Sequence, residues 1–272
     1  LEAGVDTGSL FLASFIPGFM LAGFYMIYII TVCYFDPTKG PRRKEEDLPP
    51  LNERVRLLKK LAAPGLIALW IMVSIYGGIA TVTETAATGA LAALLIAFKR
   101  KKVNFNFLKD CLTYTLSVTG RLFWLTMGST SLIGVFSIMG GTKYLKELVL
   151  SLPFGAVGII LTMMFILILL GMFMDWIGIL LLTSPIFLPI IIQLGYSPVW
   201  YGVLFSLNMQ IGFVSPPFGP ACFYIKSVAP PNISLFDIFR GVIPFIFLQI
   251  LAVTILVLYP DIVLFLPSLL KG

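Results

Sequence analysis

The sequence predicts an all-α, polytopic membrane protein, and three observations carry the prediction. Of 272 residues, 58% are apolar and only 12% are charged. A soluble domain carries about 25% charged residues, so too little polar surface is present to cover a water-soluble globule of this size. The apolar stretches run for about 20 residues or more, the length that crosses a ~30 Å hydrocarbon core at ~1.5 Å rise per residue. Barrel strands would alternate apolar and polar residues, and runs such as 148–173 do not, so the crossings are helical.

Residues 10–35 form the first crossing, with aromatics near its ends. Residues 36–60 hold five acids and four prolines (Pro37, Pro41, Pro49, Pro50) and read as a polar linker. The chain starts at Leu1, and its acidic start lacks the basic region of a signal peptide. A helix stranded ahead of a linker reads as the tail of something longer. Residues 61–98 suit two helices that turn around near Gly77, Gly78 and Thr81. Apolar runs follow at 112–138, 148–174, 199–228 and 242–259, for six to eight crossings in all. The segment 103–108 suits an interfacial arm with snorkelling lysines at its flanks.

Net charge is +6, and its placement says more than its size. Eight of the 19 basic residues lie between Lys39 and Lys60, and five more between Lys99 and Lys109. Such clusters mark cytoplasmic flanks of membrane helices and contact anionic lipid, and beside so much membrane they do not indicate nucleic-acid binding. The sequence has no His, which excludes His-based zinc sites and general bases. Cys33, Cys111 and Cys222 form no CxxC pair, and no two acids lie close together in the apolar region. Nothing here resembles the machinery of an enzyme.

Three charges stand alone in apolar surroundings. Glu84 is the only charge in 61–98, Arg121 the only one in 111–142, and Asp175 the only one in 148–225. A charge at the centre of a membrane helix is costly, so each should cap, pair, or line a cavity. Thr81-Val82-Thr83-Glu84 reads as a capping box opening a helix at 85–98. Arg121 reads as a partner for a carboxylate or as a residue near a helix turn. Asp175 reads equally as a helix-start cap and as a functional carboxylate.

Two proline-rich interruptions follow. Residues 173–183 would rise only ~16 Å as a helix, about half a bilayer. Ser184-Pro185 then removes an N–H and disfavours helix at the residue before it. The segment 172–194 therefore reads as a re-entrant hairpin with its tip at Thr183, Ser184 and Pro185, or else as one kinked helix. Further on, Gly212, Ser215, Pro216, Pro217, Gly219 and Pro220 fall within nine residues and cannot stay in one continuous helix. Non-helical backbone at that depth survives only where protein buries it or a wet cavity borders it. Asn208, Gln210, Ser215 and the hairpin tip supply the uncharged oxygens that suit a hard cation, and half-helix ends expose carbonyls and N–H groups to ions. A hairpin tip opposite a broken helix is the plan of an ion-coupled secondary transporter. A membrane scaffold without transport of its own is the alternative, but it gives no reason for the two breaks.

Gly171-Met172-Phe173-Met174-Asp175, Pro185 and Pro189, Gly195-Tyr196-Ser197-Pro198, and Ile211-Gly212 with Ser215-Pro216-Pro217-Phe218-Gly219 occur in an order that resembles the C-terminal half of the large permease subunit, DctM-like, of tripartite ATP-independent periplasmic (TRAP) transporters. Leu10-Phe11 with Ile16-Pro17-Gly18, Gly78 to Ala87, and Gly241 to Phe245 extend the resemblance over about residues 8–268. Phe218 after the double proline looks most like the branch named for mannitol and chloroaromatic compounds. The resemblance implies the second inverted repeat of an elevator-type permease in the bacterial inner membrane, moving organic acids inward with Na⁺ as coupling ion and no other cofactor. It also implies a small four-helix membrane subunit and a periplasmic substrate-binding protein as partners. On that reading 1–35 is the last helix of a missing first repeat, 36–60 a cytoplasmic linker, 61–170 scaffold and arm helices, 171–196 the re-entrant hairpin, 197–230 the broken transport helix and 231–272 the C-terminal crossing. Asp175, Thr183, Ser184, Pro185, Asn208, Gln210, Gly212, Ser215, Pro216, Pro217 and Gly219 would then bind substrate or ion, with Na⁺ at Ser184, Gly212 and Ser215. Two positions depart from the family's pattern: Val82 stands where it usually has proline, and Ser215 replaces the commoner Thr while keeping the hydroxyl. The family's first repeat, with its own hairpin and double-proline break, is not in this sequence, so the chain alone is not expected to transport.

Overall fold

A computed structural model describes residues 6–40 and 50–270. The described residues form helices and their connections, with no strand among them. In order these are α1 (Thr7–Phe35), a 3-10 turn at Pro37–Lys39, α2 (Leu51–Tyr76), α3 (Val82–Lys99), α4 (Phe105–Ile138), α5 (Gly141–Leu150), α6 (Ala156–Gly171), α7 (Trp176–Gln193), α8 (Pro198–Val214), α9 (Pro220–Val228), α10 (Leu235–Leu258) and α11 (Asp261–Leu270). Of these α1, α3, α4, α7 and α10 are long and apolar enough to cross a membrane, and 61–76 and 156–171 are shorter apolar helical stretches. The chain is therefore a multi-pass membrane protein. It divides into two compact units, residues 27–118 and the remainder up to 26 and from 119 onward.

In the 27–118 unit, α2 and α3 pair as an antiparallel hairpin. The turn is made by Gly78 at φ +64°, a left-handed conformation that glycine adopts without strain. Thr81 then caps α3. Its hydroxyl oxygen accepts from the Glu84 N–H at 3.3 Å, and the Glu84 carboxylate accepts from the Thr81 N–H at 2.8 Å. Across the hairpin the Trp70 indole donates to the Thr88 hydroxyl at 3.2 Å. The linker expected over 36–60 is shorter than that. Helix α2 already starts at Leu51, directly after Pro49-Pro50, because proline is tolerated ahead of a first helical turn. Residues 41–49 lie outside the described residues. The segment read as an interfacial arm, 103–108, runs into the start of α4, where the Asn104 side chain accepts from the Phe107 N–H at 2.7 Å.

The other unit is built around α8, whose side chains are mostly buried by neighbouring helices, with Ser206, Gln210 and Phe213 left exposed along one stripe. It packs on α6, α10 and α7. Ile160, Met163 and Leu167 of α6 meet Leu204 and Ile211 of α8 and Leu256 of α10 in one buried core. The Trp200 indole, fully buried, donates to the Leu256 carbonyl at 2.9 Å, so the widest side chain in the core is also hydrogen-bonded.

Three expectations change here. The crossing expected over 148–174 is split, because Pro153 and Gly155 separate a ten-residue α5 from the 16-residue α6. The single C-terminal crossing is followed by a second short helix, α11, after the break at Tyr259-Pro260. The helical hairpin inside 171–196 is not tipped at Ser184-Pro185, since α7 runs through Pro185 and Pro189 without interruption. Each proline removes one N–H, which costs α7 only the bonds to the carbonyls four residues back, at Leu181 and Pro185. Neighbouring helices hold the remainder, and prolines are tolerated in membrane helices under that condition. The sharp turn falls earlier, at 172–175, and joins α6 to α7.

Candidate functional site

The α6–α7 turn is closed locally. The Phe173 and Met174 N–H groups both donate to the Leu170 carbonyl, at 3.0 and 2.9 Å. Asp175 then starts α7, its carboxylate accepting from the Ile177 N–H at 3.3 Å. The side chain is exposed while serving as the cap.

The interruption after α8 stands where the sequence puts it, between Val214 and Pro220. Its polar groups are mostly paired within the loop itself. The Ser215 hydroxyl donates to the Ile211 carbonyl at 2.7 Å, the Gly219 N–H to the Ser215 carbonyl at 2.9 Å, and the Cys222 N–H to the Gly219 carbonyl at 2.9 Å. The Pro216-Pro217 bond is cis. Gly219 has φ +24°, and a Cβ there would lie 2.7 Å from the Phe239 ring and 3.0 Å from the Ser215 carbonyl, so only glycine fits.

The two interruptions face one another. Gly171, Met174, Asp175 and Trp176 share a small cleft of about 20 Å³ with Met209, Phe213, Phe218 and Pro220. Beneath it α6 and α8 approach closely, and a Cβ on Gly212 would stand 2.7 Å from the Gly171 Cα and carbonyl oxygen. Gly212 is thus a helix-crossing residue, placed where backbone meets backbone.

A larger cavity of about 960 Å³ opens beside them, walled by α1, α7, α8 and α10. Its lining is largely apolar with a few neutral polar groups, and no charged side chain lines it. Ser184 and Gln210 reach it together, as expected of residues that face one site. Gly212, Ser215, Pro216, Pro217 and Gly219 do not line it, so the three residues expected to share a cation are not gathered in this cavity. Thr183 lies on another face of α7, its hydroxyl donating to the Ile179 carbonyl at 2.7 Å. Asn208 is fully buried and donates to the Leu204 carbonyl and the Met164 sulfur, both at 2.9 Å, while its Oδ1 has no partner.

Sequence reasoning misses three groups at this cavity. The Gln249 amide donates to the Tyr25 hydroxyl at 2.6 Å and leaves its Oε1 buried without a partner among the described residues, and the Tyr201 hydroxyl is buried within reach of Thr183. Burying a polar atom unpaired costs free energy, which makes the Gln249 Oε1 a candidate acceptor for a donor beside this cavity. Gln249 had a signal to find, as the single amide in the 24 apolar-rich residues of α10. Tyr25 and Tyr201 had none, because tyrosine is ordinary in an apolar helix.

A family model described as the DctM component of the tripartite ATP-independent periplasmic transporter matches residues 1–262. Among curated relatives, the ectoine TRAP transporter large permease protein TeaC of Halomonas elongata is 31% identical over 98% of this chain and 61% of its own length. The sialic acid TRAP transporter large permease protein SiaM of Vibrio cholerae is 27% identical over 99% of this chain and 62% of its own. The C4-dicarboxylate TRAP transporter large permease protein DctM of the same organism is 27% identical over 98% and 62%. This chain spans about three fifths of the length of these relatives.

Proposed function

The chain belongs to the DctM-component family of tripartite ATP-independent periplasmic transporters, and from that premise we propose that it forms part of a secondary permease that takes small organic acids inward across the bacterial inner membrane, driven by Na⁺. The family is one of permease components and not of enzymes. The observation that carries the reading is the facing of the two helix interruptions, at 172–175 and 215–219, beside a cavity with neutral polar groups. Interrupted helices within a membrane are costly unless they serve a polar cargo. Relatives are named for ectoine, sialic acid and C4-dicarboxylate, polar solutes that need such a site.

The cavity offers amide, phenol and hydroxyl groups and no fixed cation, so hydrogen bonds, and not an ion pair, read the acid from this part of the protein. The coupling ion supplies the positive charge, and uncharged oxygens are the ligands that suit it. One charge moved through 100 mV is worth ~2.3 kcal/mol, so two or more coupled cations support useful accumulation. A small four-helix membrane subunit and a soluble periplasmic binding protein complete the system.

The test is uptake of radiolabelled organic acids into proteoliposomes holding the complete permease, its small subunit and the cognate binding protein. Uptake should require both Na⁺ and the binding protein, and Gln249→Leu should raise the half-saturating substrate concentration several-fold in a protein that still elutes as a single folded species. Uptake indifferent to the binding protein would indicate a stand-alone carrier. No uptake across a broad panel of acids would favour a scaffold.

A further inference from the structure

On the far side of α7 from the large cavity lies a second one, about 410 Å³, between α4, α5, α6 and α7. Its lining presents no polar surface. The one hydroxyl with a known bond there, on Thr183, is turned away to the Ile179 carbonyl. Water has nothing to bond to in such a space, which suits an apolar occupant.

The rim is different. Helix α5 follows the 34-residue α4 after a tight turn through Gly140, at φ +79°, and it is amphipathic. Thr142, Leu145, Leu148 and Val149 line the cavity, while Lys143 and Glu147 are exposed on the opposite side and Tyr144 is exposed beside Leu148. A short helix with one apolar face, lysines and an exposed tyrosine suits the headgroup layer of a bilayer. Lys146 is four residues after Thr142 and three before Val149, so helical register places it at the edge of the cavity-lining face. It is half-buried and has no hydrogen bond or ion pair among the described residues, whereas Lys143 stands 3.9 Å from Glu147.

We propose that this groove holds one acyl chain of an anionic phospholipid, whose phosphate is bound by Lys146 at the rim. The wholly apolar lining selects the chain, and the unpaired cation beside it selects the headgroup. One lysine near a membrane surface is worth about a fivefold preference for an anionic lipid.

The test uses the complete permease purified in mild detergent and titrated with phosphatidylglycerol or phosphatidylcholine of identical acyl chains, the bound lipids being counted by native mass spectrometry. The wild type should bind one phosphatidylglycerol about fivefold more tightly than phosphatidylcholine. Lys146→Gln should bring the two lipids level, and Lys146→Arg should restore the preference. Val149→Phe should expel both lipids by filling the groove. If that variant fails to elute as a single species, Ile133→Phe fills the same groove from α4. Equal binding of the two lipids by the wild type, an unchanged preference in Lys146→Gln, or an unchanged lipid count in a folded groove-filling variant would each overturn the proposal.

Discussion

At the scale of single residues, Gly212 and Asp175 show how one position serves structure and leaves room for function. A methyl group on Gly212 would meet the backbone of Gly171 at 2.7 Å, and backbone cannot swing aside as a side chain can. Gly212→Ala should therefore destabilise the protein by about 1–3 kcal/mol, the usual cost of overpacking. Gly18→Ala, on a helix face with nothing within 4 Å of the added carbon, should leave the thermal melt in detergent within error. Equal melts for the two would remove the close crossing of α6 and α8. For Asp175 the two readings separate by substitution. The cap needs an oxygen, not a charge, so Asp175→Asn should keep stability and Asp175→Ala should lose about 1 kcal/mol. If the exposed carboxylate also serves cargo or ion, Asp175→Asn will lose Na⁺-dependent uptake while melting like the wild type. Unchanged uptake with an unchanged melt leaves Asp175 as a cap alone.

At the scale of elements, the two proline-rich segments look alike in sequence and behave oppositely. Ser184-Pro185 sits inside the continuous α7, whereas Ser215-Pro216-Pro217 ends α8. The difference was legible only in part. Adjacent prolines followed by glycine remove consecutive N–H groups and supply a residue for the αR-forbidden turn, so an interruption there follows from local chemistry. Prolines four apart, as at 185 and 189, leave the intervening ladder intact, and whether the helix survives is decided by neighbours that local reading does not see. The capping box of α3 was legible for the same reason the second break was, because Thr81 and Glu84 act over three residues. The partners of Gln249 and Tyr25, 224 residues apart, were not. Pro185→Ala should melt no lower than the wild type, since the new N–H finds the Leu181 carbonyl in an existing helix. Gly219→Ala should melt distinctly lower, because its φ of +24° and the Phe239 ring at 2.7 Å exclude a side chain. A clear loss of stability in Pro185→Ala would mean that α7 is interrupted there after all.

At the scale of the whole molecule, the charge clusters and the helix pairing make one statement about sidedness. The start of α2 and the end of α3 lie at the same end of an antiparallel hairpin, with the turn at 77–81 at the other. Both ends that coincide are basic: Arg56, Lys59 and Lys60 lie early in α2, and Lys99 to Lys102 close α3. Had one cluster lain at the turn, the positive-inside rule and the fold would conflict. As they stand, the two agree, and the positive-inside rule predicts the basic end in the cytoplasm. Membrane-impermeant maleimide applied to the complete permease, in a background without other reactive thiols, tests this directly. Cysteines placed at Glu53 and Lys102 should react only from the cytoplasmic side of sealed vesicles, and one at the exposed Ile79 only from the opposite side. Reaction of Ile79 and Lys102 from one side would show that α2 and α3 do not cross the bilayer as a pair. Reaction of all three with the sides exchanged would keep the pair and invert its orientation.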